Sequence, residues 1–231
     1  VLALLVAVLC WSAPADALRC ARRPYFRLLS PQGSVSSLRP LFIAKYRHLR
    51  PPKLRLQRAG GSAIVLAPLT TGPLAKVFGH VFYQPAKKLA PGDYSIMTIP
   101  STGRLAPHRV TLRKASTSGA PRWRRSPKVT RATLRRGKWK HAYSRLGLTV
   151  APRGTSKHLF ALVEQTRPKA ERTMLASVRQ NAVHLSNGGK CSRGHGLGTS
   201  ATQTLRIRLV DGAGRMSKPR TLTVRFTRIR R

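Results

Sequence analysis

The chain has 231 residues, a length that accommodates one or two domains. Lys and Arg number 45 against five Asp and Glu, a formal net charge of +40. So few carboxylates leave little material for paired-carboxylate hydrolysis, and such an excess of cations favours polyanions as partners.

The chain opens on VLALLVAVLC, an uncharged apolar run followed by WSAPADALRC, in which Ala15-Asp16-Ala17 has the small-x-small pattern of a signal-peptidase site. Residues 1–17 are expected to be a signal peptide cut after Ala17, with the numbering starting inside the signal. The run is too short to span a bilayer, and no later segment offers the roughly 20 apolar residues that a spanning helix needs. Export to the periplasm or the extracellular space is the expected localisation. Leu9 stands before Cys10 where a lipidated cysteine prefers a small residue, so free export is expected over lipid anchoring. Cleavage removes one acid and no base. The remaining cysteines are Cys20 and Cys191, and two cysteines in an exported chain pair more often than they stay free. Unpaired thiols and an intermolecular bridge are the alternatives.

Beyond the signal, short β-rich runs recur between turn residues: YFRLL, LRPLFIA, KLRLQ, AIVL, KVFGHVFY, YSIMTI and HRVTLRK. They place a first domain over 18–116. ASTSGAPRWRRSPK mixes Ser, Gly, Pro and Arg without apolar periodicity and reads as a linker, bounded at 117–127. A second domain is expected over 128–231, with strands in KVTRATL, KWKHAYSRLGLTV, HLFALVEQ, TMLASVRQ, VHLS, TLRIRLV and TLTVRF. TMLASVRQNAVHL also admits a short helix, because its apolar residues fix no period. About seven short strands in each piece predict an all-β chain of two tandem antiparallel β-sandwiches.

The last two runs form one pattern. In LRIRLVDGAGRMSKPRTLTVRF, Leu205, Ile207 and Leu209 share one face and Arg206 and Arg208 the other; Leu222, Val224 and Phe226 repeat the first set, Thr223 and Arg225 the second. Asp211 falls where the chain reverses. There it is expected to accept hydrogen bonds from the turn that Gly212 and Gly214 permit, as a turn residue and not a base.

VDGAGRMSKPRTLTV resembles the last hairpin of bacterial fibronectin-type-III-like and immunoglobulin-like domains, where a Val-Asp-x-Ala-Gly-x-x-Ser turn precedes the closing strand. LAPGDY with SPQGSV resembles bacterial immunoglobulin-like sandwiches that start a late strand at a Leu-x-Pro-Gly-x-Tyr corner. The resemblance implies that the Tyr94 hydroxyl bonds back to nearby backbone. It implies a fold and no activity. The same two patches resemble periplasmic copper-carrier sandwiches. The chain departs from that pattern in having Leu18, and not His, at the expected mature N-terminus and no Ser-Asp-Gly-His motif after Tyr94. His80 and His108 have no Cys, Met or carboxylate neighbour in sequence. Cys191 and His195 in GGKCSRGHGLG are two ligands where a structural zinc takes four.

No Gly-x-Ser-x-Gly elbow, His-Glu-x-x-His or phosphate-binding glycine loop occurs, and no cofactor is expected. What remains is charge. PRWRRSPK and RRGKWKHAY interleave Arg122, Trp123, Arg124, Arg125, Lys138, Trp139 and Lys140 as single-strand nucleic-acid grooves and anionic-lipid binders do; Arg206, Arg208 and Arg225 extend the basic set. In KWKHAY the aromatics alternate, so Trp139 and Tyr143 equally fit a strand that turns them to the core. Bases lie along almost every strand, an arrangement suited to diffuse, salt-dependent attraction and not to readout by one recognition helix. The expected role is a non-enzymatic structural or adhesion-type protein that associates with acidic polysaccharide, anionic lipid surfaces or DNA. A non-sequence-specific nucleic-acid binder and a periplasmic copper carrier are the alternatives, and the positive charge also fits a plain compositional bias.

Overall fold

A computed structural model describes residues 25–31, 33–47, 51–99, 108–114, 119–136, 142–153, 159–168, 172–187, 197–198 and 200–229. The chain is nearly all-β, with several antiparallel sheets. In the first half, β1 (Tyr25–Ser30), β3 (Phe42–Arg47) and β6 (His80–Tyr83) form a three-stranded sheet in the order β1-β3-β6. Opposite it, β2 (Gly33–Val35), β4 (Lys53–Arg58), β5 (Ile64–Leu66), β7 (Gly92–Ile99) and β8 (His108–Leu112) form the order β2-β8-β7-β4-β5. Phe42, Ala44, Val81 and Tyr83 from one sheet and Leu54, Leu56, Ile96, Val110 and Leu112 from the other bury into one cluster. The period-2 alternation of KLRLQR explains how: Leu54 and Leu56 are buried while Lys53 and Arg55 are exposed.

In the second half, β9 (Arg122–Arg136), β10 (Ala142–Arg153), β13 (Ala182–Asn187) and β16 (Thr227–Ile229) form the order β13-β10-β9-β16. The facing sheet is β12-β11-β14-β15, with β11 (Phe160–Arg167), β12 (Arg172–Ser177), β14 (Thr202–Val210) and β15 (Arg220–Arg225). Leu146, Leu148 and Val183 from the first of these sheets meet Ala161, Val163, Leu205, Ile207 and Val224 from the second. The phase read from the sequence for Leu205, Ile207, Leu209, Val224 and Phe226 holds, since all five are buried.

Four expectations are corrected. Residues 122–127, read as linker, belong to β9: Trp123 packs against the second core, and the Arg and Ser around it face water, which hid the strand from an apolar period. TMLASVRQNAVHL forms β12 and β13, not a helix, because the chain turns at Gln180 and Asn181, both at positive φ. KVFGHVFY is a strand only over its last four residues, and a one-turn helix α1 (Gly72–Ala75), with Pro in its first turn, precedes it. Of the two turn glycines only Gly214 has positive φ, at 77°.

A third apolar cluster joins the halves. Leu41, Ile43, Leu74, Val77 and Phe82 of the first half pack against Phe160, Leu162 and Val210 of the second. The runs FIA in β3 and ALV in β11 are apolar in consecutive positions because both faces of those strands are covered.

The 211–217 loop fastens this junction, and Asp211 organises it. Its Oδ1 accepts the backbone N–H of Ala213 and of Arg215, each at 2.9 Å, and its Oδ2 accepts Nε of Arg215 at 2.8 Å. The loop then presents two carbonyls to the first half: Leu41 N–H donates to Gly212 O at 2.7 Å and Gln84 Nε2 to Ala213 O at 2.8 Å. A Cβ on Gly214 would lie 3.1 Å from Gln84 Nε2. Gly214→Val therefore combines αL strain with a contact against the other half and is expected to cost about 1–3 kcal/mol. Arg206→Ser removes an exposed Arg from a loose 3.7 Å ion pair and is expected to cost at most about 1 kcal/mol. Urea melts giving equal losses for the two variants would remove this assignment.

The Tyr94 corner is present as the resemblance implied: its hydroxyl donates to Ala90 O at 3.0 Å.

Candidate polyanion-binding face

Strands β9, β10, β13 and β16 contain no acidic residue. Their register decides which of their cations share a surface. Directly paired residues in an antiparallel sheet point to the same side, and the rungs Arg145↔Thr133, Gly147↔Arg131 and Thr149↔Lys128 put Lys128, Arg131 and Arg145 on the face away from the core. Arg135 continues that phase of β9, and all four are exposed. On the neighbouring strand, Ser186 pairs with Arg145 and His184 with Gly147, so small or neutral groups separate the cations. Arg145, opposite Thr133, stands diagonal to both Arg131 and Arg135, a spacing of about 7–8 Å that is comparable with one Debye length at physiological salt, so their fields add.

Arg122, Arg124 and Arg125 are exposed on the first third of β9. Trp123 between them is half-buried: it packs on the second core, and its indole N–H donates to Lys218 O at 2.8 Å. Bulges interrupt the β9–β10 register here. Ala151 pairs with Arg125 and Pro152 with Trp123, leaving Arg124 without a partner on β10. An open cavity of about 500 Å³ beside it is lined by Trp123, Arg124, Pro152 and Arg153.

The other sheet receives the remaining basic candidates and does not gather them with the first group. Arg206 lies 3.7 Å from Glu164, so an acid offsets its charge. Arg208 is half-buried in β14, opposite Leu162 of the junction, and its Nε is buried without a hydrogen-bond partner among the described residues. Arg225 is exposed and opposite Thr202. Lys138, Trp139, Lys140, Cys20 and Cys191 lie outside the described residues. Sequence reasoning missed Lys128, Arg131, Arg135 and Arg145 as a group. The polar phase of KVTRATLRR was visible, but its pairing with Arg145 is a matter of register.

Catalytic and metal chemistry find little material among the described residues. Asp93 accepts a hydrogen bond from the Thr111 hydroxyl, Glu164 pairs with Arg206, and Asp211 is held in its loop. No group of three or more His, Cys, Asp or Glu that could hold a metal occurs among them. Burial lowers the His80 pKa below the usual imidazole value, opposed by a hydrogen bond with Phe78 O and aided by the Lys45 charge. No helix among the described residues is long and apolar enough to cross a membrane.

No family model and no curated protein matches the sequence. Among solved structures, the chain is similar to fibronectin(III)-like modules of Clostridium thermocellum CbhA, with 11% identity over 88% of this chain and 95% of that one and a TM-score of 0.27. It is also similar to the N-terminal Ig1-2 module of the Drosophila receptor protein tyrosine phosphatase DLAR, with 14% identity over 88% and 100% and a TM-score of 0.31. The FN1-FN3 domains of chicken CNTN1 give 9% identity over 88% and 66% and a TM-score of 0.31. At such TM-scores these likenesses fix neither a family nor a function.

Proposed function

We propose that the chain is an exported, non-enzymatic protein of two tandem immunoglobulin-like or fibronectin-type-III-like β-sandwiches, divided near residue 117, that associates electrostatically with anionic polymers. The observation that carries the reading is the acid-free sheet β13-β10-β9-β16, whose outer face aligns Lys128, Arg131, Arg135 and Arg145. The apolar N-terminal run and its Ala-x-Ala motif support export, which brings the chain to acidic polysaccharide, anionic lipid and extracellular DNA. The structural use of Asp93, Glu164 and Asp211 supports a binding role over a catalytic one.

The test compares two equal removals of charge. Lys128, Arg131, Arg135 and Arg145 changed together to Gln are expected to weaken binding to immobilised heparin by about tenfold or more at physiological salt. Lys53, Lys87, Lys88 and Lys114, exposed in the first half, changed in the same way are expected to weaken it only by about two- to threefold, through the general field. Equal losses would show an even cationic coat and no binding face.

A further inference from the structure

We infer that the cavity between β9 and β10, lined by Trp123, Arg124, Pro152 and Arg153, is a discrete subsite for one uronate unit of an acidic polysaccharide. The inference rests on the polyanion reading above and names the ligand class at one end of the same sheet.

The cavity's construction carries the argument. The register places Pro152 directly across from Trp123, so an aromatic ring and a pyrrolidine ring form one apolar wall. The indole cannot swing freely, because it packs on the second core and its N–H is committed to Lys218 O. With that donor used internally, the ring offers a ligand its apolar and π surface alone. A pyranose ring presents C–H groups on its faces and suits such a wall, while its hydroxyls stay in water.

The two arginines supply the polar half of the site. Arg153 follows Pro152 on β10, opposite Arg122. Arg124 is the extra residue of a bulge, a device that re-aims a side chain out of the regular alternation, and here it lines the cavity. Guanidinium groups bind carboxylates through paired N–H donors. Among the described residues no acidic side chain lines the cavity. The volume of about 500 Å³ accommodates one or two sugar rings. A single-stranded nucleic-acid track stacks successive bases on successive aromatic rings. Among the described residues this cavity has one aromatic ring, which favours a single cyclic unit over a strand.

The test is calorimetric titration of the full chain with a galacturonate hexasaccharide and, separately, with a single-stranded hexanucleotide, at physiological salt. Arg124→Gln with Arg153→Gln is expected to weaken hexasaccharide binding about tenfold or more, as the loss of charge-assisted hydrogen bonds should. Arg55→Gln with Arg109→Gln, exposed in the first half and not lining the cavity, removes equal charge and is expected to change it less than about twofold. Trp123→Phe preserves an apolar ring but not the Lys218 bond, and is expected to give an intermediate loss. Equal effects of the two arginine pairs would overturn the subsite and leave the polyanion reading standing. A selective loss of hexanucleotide binding in the Trp123 variant would reassign the cavity to nucleic acid. Absence of binding by the unaltered chain to heparin as well as to both probes would defeat the polyanion reading itself.

Discussion

Replacing Phe82 by Ala is expected to lower the free energy of unfolding by about 3–5 kcal/mol, the range for deleting a fully buried aromatic ring. Phe82 is 1% exposed and lies at the junction of the halves, against a cluster completed by Phe160, Leu162 and Val210. Each half also has a core of its own. The variant is therefore expected to lose cooperativity as well as stability, so that one calorimetric transition becomes two. A loss below about 1 kcal/mol with a single sharp transition would show that the junction contributes little to holding the halves together.

The second large effect is expected at Asp211. Its side chain is 8% exposed and accepts two backbone N–H groups as well as the Arg215 guanidinium. Asp211→Ala leaves those donors unsatisfied in a partly buried loop and is expected to cost about 2–4 kcal/mol. Asp211→Asn retains one oxygen for the backbone donors and should cost roughly half as much. Because Gly212 and Ala213 carry the carbonyls that Leu41 and Gln84 reach, the Ala variant is also expected to expose the junction to proteolysis. Chemical melts in which the Ala and Asn variants both match the unaltered chain would remove the loop from the stabilising framework.

The features legible in the sequence were those set by short separations. The Asp211 loop closes within four residues, so residue type and spacing were enough to predict its backbone hydrogen bonds, whereas the equally local Tyr94 bond was implied by the resemblance to sandwiches with that corner. The faces of β14 and β15 followed from period-2 alternation. The junction was written in the sequence in a different way, through consecutive apolar residues at Phe42-Ile43-Ala44 and Ala161-Leu162-Val163, which signal strands covered on both sides. What covers them depends on residues more than a hundred positions apart. The same holds for charge. Arg206 and Arg131 are both exposed strand cations, yet register sets Arg206 opposite Glu164 and Arg131 opposite Gly147. The start of β9 escaped notice because its chain of Arg, Ser and Pro has an apolar anchor only at Trp123, and bulges break the alternation there.

Electrostatic association is tested most directly by the affinity of the chain for duplex DNA and for heparin over a salt series. If about six phosphates are neutralised, the logarithm of the DNA association constant should fall against the logarithm of salt with a slope near −5, and should be indifferent to base sequence. Heparin should show a comparably steep fall. A slope near zero, or binding to neither polymer at physiological salt, would contradict the account.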